Sequence, residues 1–135
     1  MSGWLLDASV LLAAEDSDDP NSVDARRLLA GLEPVATLDL ALYETVNVAI
    51  AAWSDAAAAR RLADLIAAVA DDGGLVRAGP ALLDAAAQLA LEHGISVYDA
   101  AYVAAARAAR ARLVSCDFAD LVSRDLAVLP SQANV

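Results

Sequence analysis

The stretch Trp4–Leu12, with the sequence WLLDASVLL, contains the first evidence for the fold. Trp4–Leu6 is a short apolar run that predicts a β-strand, and a helix is predicted from Ala8 to about Ala14. Asp7 stands between them, at the point where the predicted strand ends. A strand that leads directly into a helix is the first unit of an alternating α/β pattern.

Short strand candidates alternate with helical segments along the rest of the chain. The further strand candidates are Pro34–Thr37, Leu75–Arg77, Arg112–Ser115 and Leu126–Leu129. Such alternation predicts a central parallel sheet with helices on both faces, which is a three-layer α/β sandwich. In sheets of this kind, ligands bind beyond the carboxyl ends of the strands.

Capping and turn residues delimit the predicted helices. Pro20 is predicted at the first position of one helix, with Asp19 as its N-cap and Gly31 past its end. A short helical turn is predicted between the last two strands. Of the other predicted helices, one runs to about Trp53 with Asp39 as its N-cap and one to about Ala70 with Asp55 as its N-cap. A third runs from Pro80 to His93 before Gly94, and a fourth runs to about Ala109 with Ser96 as its N-cap.

The composition indicates one folded domain without a membrane segment. The 135 residues can bury a hydrophobic core, so a single domain over residues 1–135 is expected. Hydrophobic residues make up 59% of the chain, but no apolar run is long enough to span a membrane. No signal peptide is predicted, and a cytoplasmic location is expected. The apolar helical segments Ala36–Trp53 and Ala56–Ala70 offer more apolar surface than one core needs, which predicts a homodimer.

Counts of the reactive residue types exclude several kinds of site. Cys116 is the only cysteine and His93 the only histidine, so a disulfide framework and a histidine cluster are excluded and a cysteine zinc site is disfavoured. All nine basic residues are arginines. Receiver domains and haloacid-dehalogenase-like phosphatases normally need a lysine near the phosphate, so these functions are disfavoured. The net charge of −10 argues against a broadly basic nucleic-acid-binding face, although bound cations would reverse the charge locally.

Four acidic residues stand out by their positions in the sequence. Asp7 follows the first predicted strand and Asp117 follows the fourth, so both are expected at the carboxyl edge of the sheet. Glu44 and Asp99 lie among apolar helical residues, where an unpaired carboxylate is costly to bury. If the four converge within about 5 Å, each ionised pair repels by roughly 3 kcal/mol at an effective dielectric of about 20. Either some stay protonated or a divalent cation lies between them, and oxygen ligands favour magnesium or manganese.

The same carboxylates also have structural interpretations. Asp7 can be a helix N-cap. The negative charge of Asp99 can stabilise the first turn of a helix through the helix dipole. Asp117 can cap the turn that follows it. Glu44 has the weakest structural alternative, because it is predicted in the middle of a helix among apolar neighbours.

Four segments together resemble the signature blocks of PIN-domain nucleases. They are Leu5–Leu11 (LLDASVL), Tyr43–Val48 (YETVNV), Val97–Ala104 (VYDAAYVA) and Leu113–Asp117 (LVSCD). These blocks follow the order and spacing of the family across essentially the whole chain. Within this family the chain most resembles the VapC toxins of bacterial and archaeal toxin–antitoxin pairs.

The resemblance implies a metal-dependent endoribonuclease that is the toxin of such a pair. Asp7, Asp99 and Asp117 would hold Mg²⁺ or Mn²⁺, and Glu44 would hold it directly or through water. These four carboxylates would also be the catalytic residues, with a metal-activated water that hydrolyses an RNA phosphodiester bond. The implied partner is a VapB-like antitoxin that places an arginine or lysine in the acidic cleft. The alternative function is a catalytically weak PIN-like binding module that sequesters RNA or a protein partner.

Neighbouring residues complete the resemblance. Ser9 matches a position that is often a small hydroxyl residue near the metal, and Ser115 matches the family's threonine or serine two residues before the last aspartate. Asp120 is the candidate for a further acidic residue of the family. Tyr98 and Tyr102 are interpreted as packing residues rather than as surfaces on which bases stack.

Overall fold

The computed structural model describes residues 3–133 of the protein. Four short strands form one sheet with the order β3-β2-β1-β4, and every neighbouring pair is parallel. These strands are β1 (Trp4–Leu6), β2 (Val35–Leu38), β3 (Leu75–Val76) and β4 (Arg112–Val114). The predicted parallel sheet is therefore confirmed.

Helices connect the strands and cover the sheet. Helix α6 packs against β1, β2 and β4, and α4 packs against β2 and β3. This arrangement is consistent with the predicted three-layer sandwich. In the described part of the chain, no helix is both long and apolar enough to cross a membrane. The helices are α1 (Ala8–Glu15), α2 (Ser22–Ala30), α3 (Leu40–Ala51), α4 (Ala56–Asp71), α5 (Pro80–His93) and α6 (Val97–Ala109), with short 3₁₀ turns at Val122–Arg124 and Pro130–Gln132.

Several predicted helix ends are confirmed by their capping geometry. The Asp55 carboxylate accepts a hydrogen bond from the backbone N–H of Ala58 at 3.0 Å, which caps α4. The Ser96 hydroxyl accepts one from the N–H of Asp99 at 3.0 Å, which caps α6. Gly94 ends α5 in the left-handed conformation, with φ at 66°.

The start of α2 differs from the prediction. This helix begins at Ser22 rather than at Pro20, and Asn21 is its N-cap. The Asp19 carboxylate instead accepts the backbone N–H of Asn21 at 2.8 Å, which closes a turn before the helix. Aspartate side chains stabilise such turns as readily as helix starts, so the sequence pattern does not separate the two.

Two further predictions are corrected by contacts between distant segments. Asp39 precedes α3 but makes no capping bond, because its carboxylate accepts the N–H of Ala78 at 3.2 Å. The segment Leu126–Leu129 is not a strand, and its pairing with the sheet is a single parallel bridge between Val128 and Val114. An apolar segment of this length therefore lies against the sheet edge without extending the sheet.

The core places the end of β1 and the start of α6 close together. All three residues of β1 are buried, and α6 is buried continuously over Ala100–Ala106, where most side chains are alanine methyl groups. Because small side chains allow a helix to approach its neighbours closely, α6 can lie tightly over the sheet. The first turn of α6 consequently reaches the carboxyl edge of the sheet.

Candidate active site

The acidic residues predicted at the sheet edge lie there in the structure. Asp7 directly follows β1, and its backbone N–H donates to the carbonyl of Val114 at the end of β4 at 3.2 Å. Asp117 lies three residues beyond β4. Asp99 is in the first turn of α6, and Glu44 is on α3.

Three carboxylates converge most closely. Oxygens of Asp99, Asp117 and Asp120 all lie within 4.8 Å of one another. Asp7 and Glu44 are outside this trio, but each is near enough to Asp99 to interact with it electrostatically. The structure thus brings Asp99 and Asp117 together, adds Asp120 and places Asp7 and Glu44 as neighbours; we name these five residues the acidic cluster.

Asp7 is the most buried member of the cluster, with 6% of its surface exposed. It accepts hydrogen bonds from the hydroxyl of Ser9 at 2.5 Å and from the N–H of Val10 at 3.3 Å, and it also interacts with Ser115. Burial raises the pKa of Asp7 from 3.8 to about 6, although these hydrogen bonds act in the opposite direction. The predicted N-cap role of Asp7 is therefore real and coexists with its place in the cluster.

Two serines tie the ends of β1 and β4 to each other. The Ser9 hydroxyl, which donates to Asp7, accepts the backbone N–H of Cys116 at 2.9 Å. The Ser115 side chain, just after β4, hydrogen-bonds with the Asp7 carboxylate after β1, and its hydroxyl also accepts the N–H of Asp117 at 3.0 Å. Each serine therefore links a cluster carboxylate, or its backbone, to the neighbouring strand end.

The loop after β4 is shaped by Asp117 itself. Its carboxylate accepts the N–H of Asp120 at 3.0 Å, so the predicted capping role of Asp117 is confirmed. This bond turns the loop so that the Asp120 carboxylate joins Asp99 and Asp117. Asp120, named from the resemblance three residues beyond Asp117, is thereby part of the closest trio.

No positive charge balances the cluster within the described residues. Burial together with the charges of Asp117 and Asp120 raises the pKa of Asp99. The ion pairs among residues 3–133 all involve carboxylates outside the cluster. Those ion pairs are Arg27–Asp24, Arg61–Glu15 and His93–Glu92.

Tyr102 contacts the cluster through a bond that the sequence analysis missed. Its hydroxyl donates to Oε1 of Glu44 at 2.5 Å, although only 3% of the tyrosine is exposed. Burial and the nearby carboxylates of Glu44 and Asp7 raise the pKa of Tyr102, so the phenol is neutral. The signal for this role is its spacing, because Tyr102 lies three residues after Asp99 and so near the same helix face. The packing interpretation is wrong for Tyr98, which is 65% exposed.

The donor set of the cluster fits a hard divalent cation. Its ligand atoms are carboxylate oxygens, which Mg²⁺ and Mn²⁺ prefer. Structural zinc sites, by contrast, are rich in sulfur and nitrogen ligands. Cys116 lies beside the cluster, and burial raises the pKa of its thiol to about 11, so the thiol is neutral in the metal-free protein at neutral pH. The candidate ligands are Asp99, Asp117 and Asp120, with Asp7 and Glu44 beside them.

Asp7 predicts a specific dependence of stability on pH in metal-free protein. Because its pKa rises from 3.8 to about 6 on folding, the ionised form is disfavoured in the folded state, and stability should fall as pH rises from about 4 to about 6. The shift corresponds to about 3 kcal/mol, which Asp7→Asn should regain at pH 7. Urea unfolding in EDTA at several pH values measures this, with the exposed Asp64→Asn as the control that follows wild type. Parallel pH profiles for Asp7→Asn and wild type would contradict the assignment.

Comparison with known proteins identifies the fold family. A family model described as the PIN domain matches residues 4–121, whereas no curated protein sequence matches the chain. The fold is similar to PAE2754 from Pyrobaculum aerophilum, at 25% identity and a TM-score of 0.70 over 97% of this chain and 93% of that one. It is also similar to the sarcin-ricin loop cleaving toxin VapC20 from Mycobacterium tuberculosis, at 23% identity and a TM-score of 0.65 over 86% of this chain and 92% of that one.

A chain of a toxin–antitoxin complex from Klebsiella pneumoniae has the same fold at 17% identity, with a TM-score of 0.70 over 95% of this chain and 98% of that one. At this level of identity the structural likeness concerns the fold, while the family model rests on the sequence of most of the chain. Together with the four sequence blocks and the parallel sheet that presents them, that match shows that the chain belongs to the PIN domain family.

Proposed function

We propose that this protein is a Mg²⁺- or Mn²⁺-dependent endoribonuclease and the toxin of a toxin–antitoxin pair. The observation that carries the proposal is the acidic cluster at the carboxyl edge of the sheet, in which three carboxylates lie within 4.8 Å of one another. Within residues 3–133, no arginine or histidine offsets their charge through an ion pair. A divalent cation bound between these carboxylates would offset their mutual repulsion and would serve as the catalytic metal.

Asp99, Asp117 and Asp120 are the residues that would hold the cation, with Asp7 and Glu44 as further direct or water-mediated ligands. When bound, such a cation polarises a phosphodiester and lowers the pKa of a coordinated water. The contribution of the chain is placement, because the strand ends and the helix starts fix the carboxylates before the substrate arrives. The Ser9 hydroxyl fixes the position of the Asp7 carboxylate, and the Ser115 hydroxyl fixes the backbone at Asp117.

RNA is proposed as the substrate from the family and from one neighbour. VapC20, a toxin that cleaves the sarcin-ricin loop, shares the fold over 86% of this chain. The net charge of −10 gives the protein little general affinity for a phosphate backbone. Selection of the RNA must therefore depend on contacts near the acidic cluster and on the bound cations that neutralise it.

A basic antitoxin segment is proposed as the protein partner. Three exposed aromatic side chains are each adjacent in sequence to a cluster carboxylate: Tyr43, Tyr98 and Phe118, which are 75%, 65% and 60% exposed. Aromatic faces beside carboxylates bind an arginine through both ion pairing and cation–π contact. An arginine held in this way would occupy the place of the cation and so inhibit the enzyme.

A homodimer is proposed from the exposed apolar surface of α3. Leu42, Tyr43 and Ile50 are large apolar side chains on this helix, and each is exposed in the isolated chain. The large apolar side chains of α4 are buried or half-buried. Of the two helices in the predicted apolar segments, α3 is therefore the one that offers large exposed side chains for a dimer contact. A two-fold pairing is the commonest way for a small protein to cover such a surface.

Asp99→Asn tests the catalytic proposal. Wild-type protein should cleave structured RNA in Mg²⁺ or Mn²⁺ and lose this activity in EDTA, and the substitution should lower the rate by about 100-fold or more, because a charged ligand is lost. Rates of cleavage of an end-labelled RNA panel measure this. The exposed Asp64→Asn is the matched control and should cleave at the wild-type rate. Activity that persists in EDTA, or in purified Asp99→Asn, would exclude the proposed chemistry.

The partner proposal predicts inhibition in a purified complex. Co-expression with a basic antitoxin encoded beside this protein should give a complex without RNA cleavage, because the cationic side chain of the antitoxin displaces the metal.

The free protein should be a dimer by light scattering at micromolar concentration, and Ile50→Asp should shift it towards monomer. A fully active complex would refute the inhibition by cleft occupancy, and a wild-type monomer would refute the dimer.

A further inference from the structure

Tyr102 is a buried tyrosine whose hydroxyl reaches the acidic cluster. It lies in the centre of the α6 segment that packs on the sheet, and its hydroxyl donates to Oε1 of Glu44 on α3 at 2.5 Å. The main packing partners of α3 are α4 and α1, whereas those of α6 are α5 and the sheet. The hydrogen bond therefore joins two helices that otherwise have little contact with each other.

Glu44 depends on this bond for its orientation. Among residues 3–133, Tyr102 is the only hydrogen-bond partner of the Glu44 side chain, and the ion pairs of this region do not include Glu44. A half-buried glutamate has several side-chain torsions to fix, and fixing them costs conformational entropy unless a partner holds the carboxylate. A phenylalanine would fill the same core volume as Tyr102, so the hydroxyl contributes only through its polar contacts.

We propose that Tyr102 is a positioning residue, which holds one oxygen of Glu44 and leaves Oε2 free for the cation or its bound water. The inference rests on the proposed function of the cluster. An arginine or lysine in this place would also hold Glu44, but its positive charge would compete with a divalent cation. A neutral phenol fixes the carboxylate without cancelling its charge, as hydrogen-bonding partners behind metal ligands commonly do.

The test is a double-mutant cycle between Tyr102→Phe and Glu44→Ala, which removes the acceptor of the Tyr102 hydroxyl. Tyr102→Phe should keep the wild-type circular dichroism spectrum but lower kcat and Mn²⁺ affinity by about 10- to 100-fold, with the KM for RNA unchanged. In the Glu44→Ala background the same substitution should cost nothing more, because Tyr102 acts through the Glu44 carboxylate. Asp64→Asn removes an exposed carboxylate on α4, outside the acidic cluster, and should leave both quantities unchanged.

Isothermal titration with Mn²⁺ and single-turnover cleavage of a labelled RNA are measured for all variants. Losses from Tyr102→Phe that are the same in both backgrounds would overturn the inference, since a merely structural role would be independent of Glu44. Wild-type affinity and rate in Tyr102→Phe would also overturn it. If wild type binds Mn²⁺ but cleaves no RNA, the proposed ribonuclease function fails, and the Mn²⁺ cycle alone then decides the role of Tyr102. A wild type that binds no Mn²⁺ would overturn both.

Discussion

Repulsion between carboxylates governs the carboxyl edge of this sheet. Oxygens of Asp99, Asp117 and Asp120 lie within 4.8 Å of one another, and Asp7 and Glu44 are close enough to add to the same field. At an effective dielectric of about 20, two charges about 5 Å apart repel by roughly 3 kcal/mol, which is a substantial part of the stability of a small domain. The raised pKa values of Asp7 and Asp99 express this cost together with that of burial. In the metal-free protein, the fold must hold these groups together by other means.

Helix starts and strand ends provide that support. Asp7 is the N-cap of α1 and Asp99 lies in the first turn of α6, so both carboxylates benefit from the positive end of a helix dipole. Ser9 and Ser115 connect the ends of β1 and β4 through Cys116 and Asp7, and the small side chains of α6 bring its first turn to the same edge. Tyr102 adds a neutral donor to Glu44. Each of these contacts stabilises a negative charge without supplying a full positive one, which leaves the cluster able to bind a cation.

The sequence predicts those parts of the structure that depend on local pattern. The apolar run before Asp7, the cap at Ser96 and the turn at Gly94 are each specified within a few residues, and the structure has them where predicted. Contacts over long distances in the chain were not predictable in this way. The Glu44–Tyr102 bond spans 58 residues, and Leu126–Leu129 makes one bridge where a strand was predicted. The start of α2 was misplaced because Asp19 can close a turn as well as cap a helix. The metal-binding and catalytic roles of the cluster stay predictions that solution experiments must test.

We expect the acidic cluster to bind a divalent cation in the folded protein, and thermal unfolding with and without Mn²⁺ measures this binding through its effect on stability. A cation that binds only the folded state stabilises it by about 2.7 kcal/mol at a concentration of about 100 times its Kd. Wild-type protein should therefore melt several degrees higher in Mn²⁺ than in EDTA. Asp99→Asn should be at least as stable as wild type in EDTA, because one repelling charge is gone, and should lose most of the response to Mn²⁺. A wild-type melting temperature that does not change with Mn²⁺, or an equal increase in Asp99→Asn, would contradict the claim.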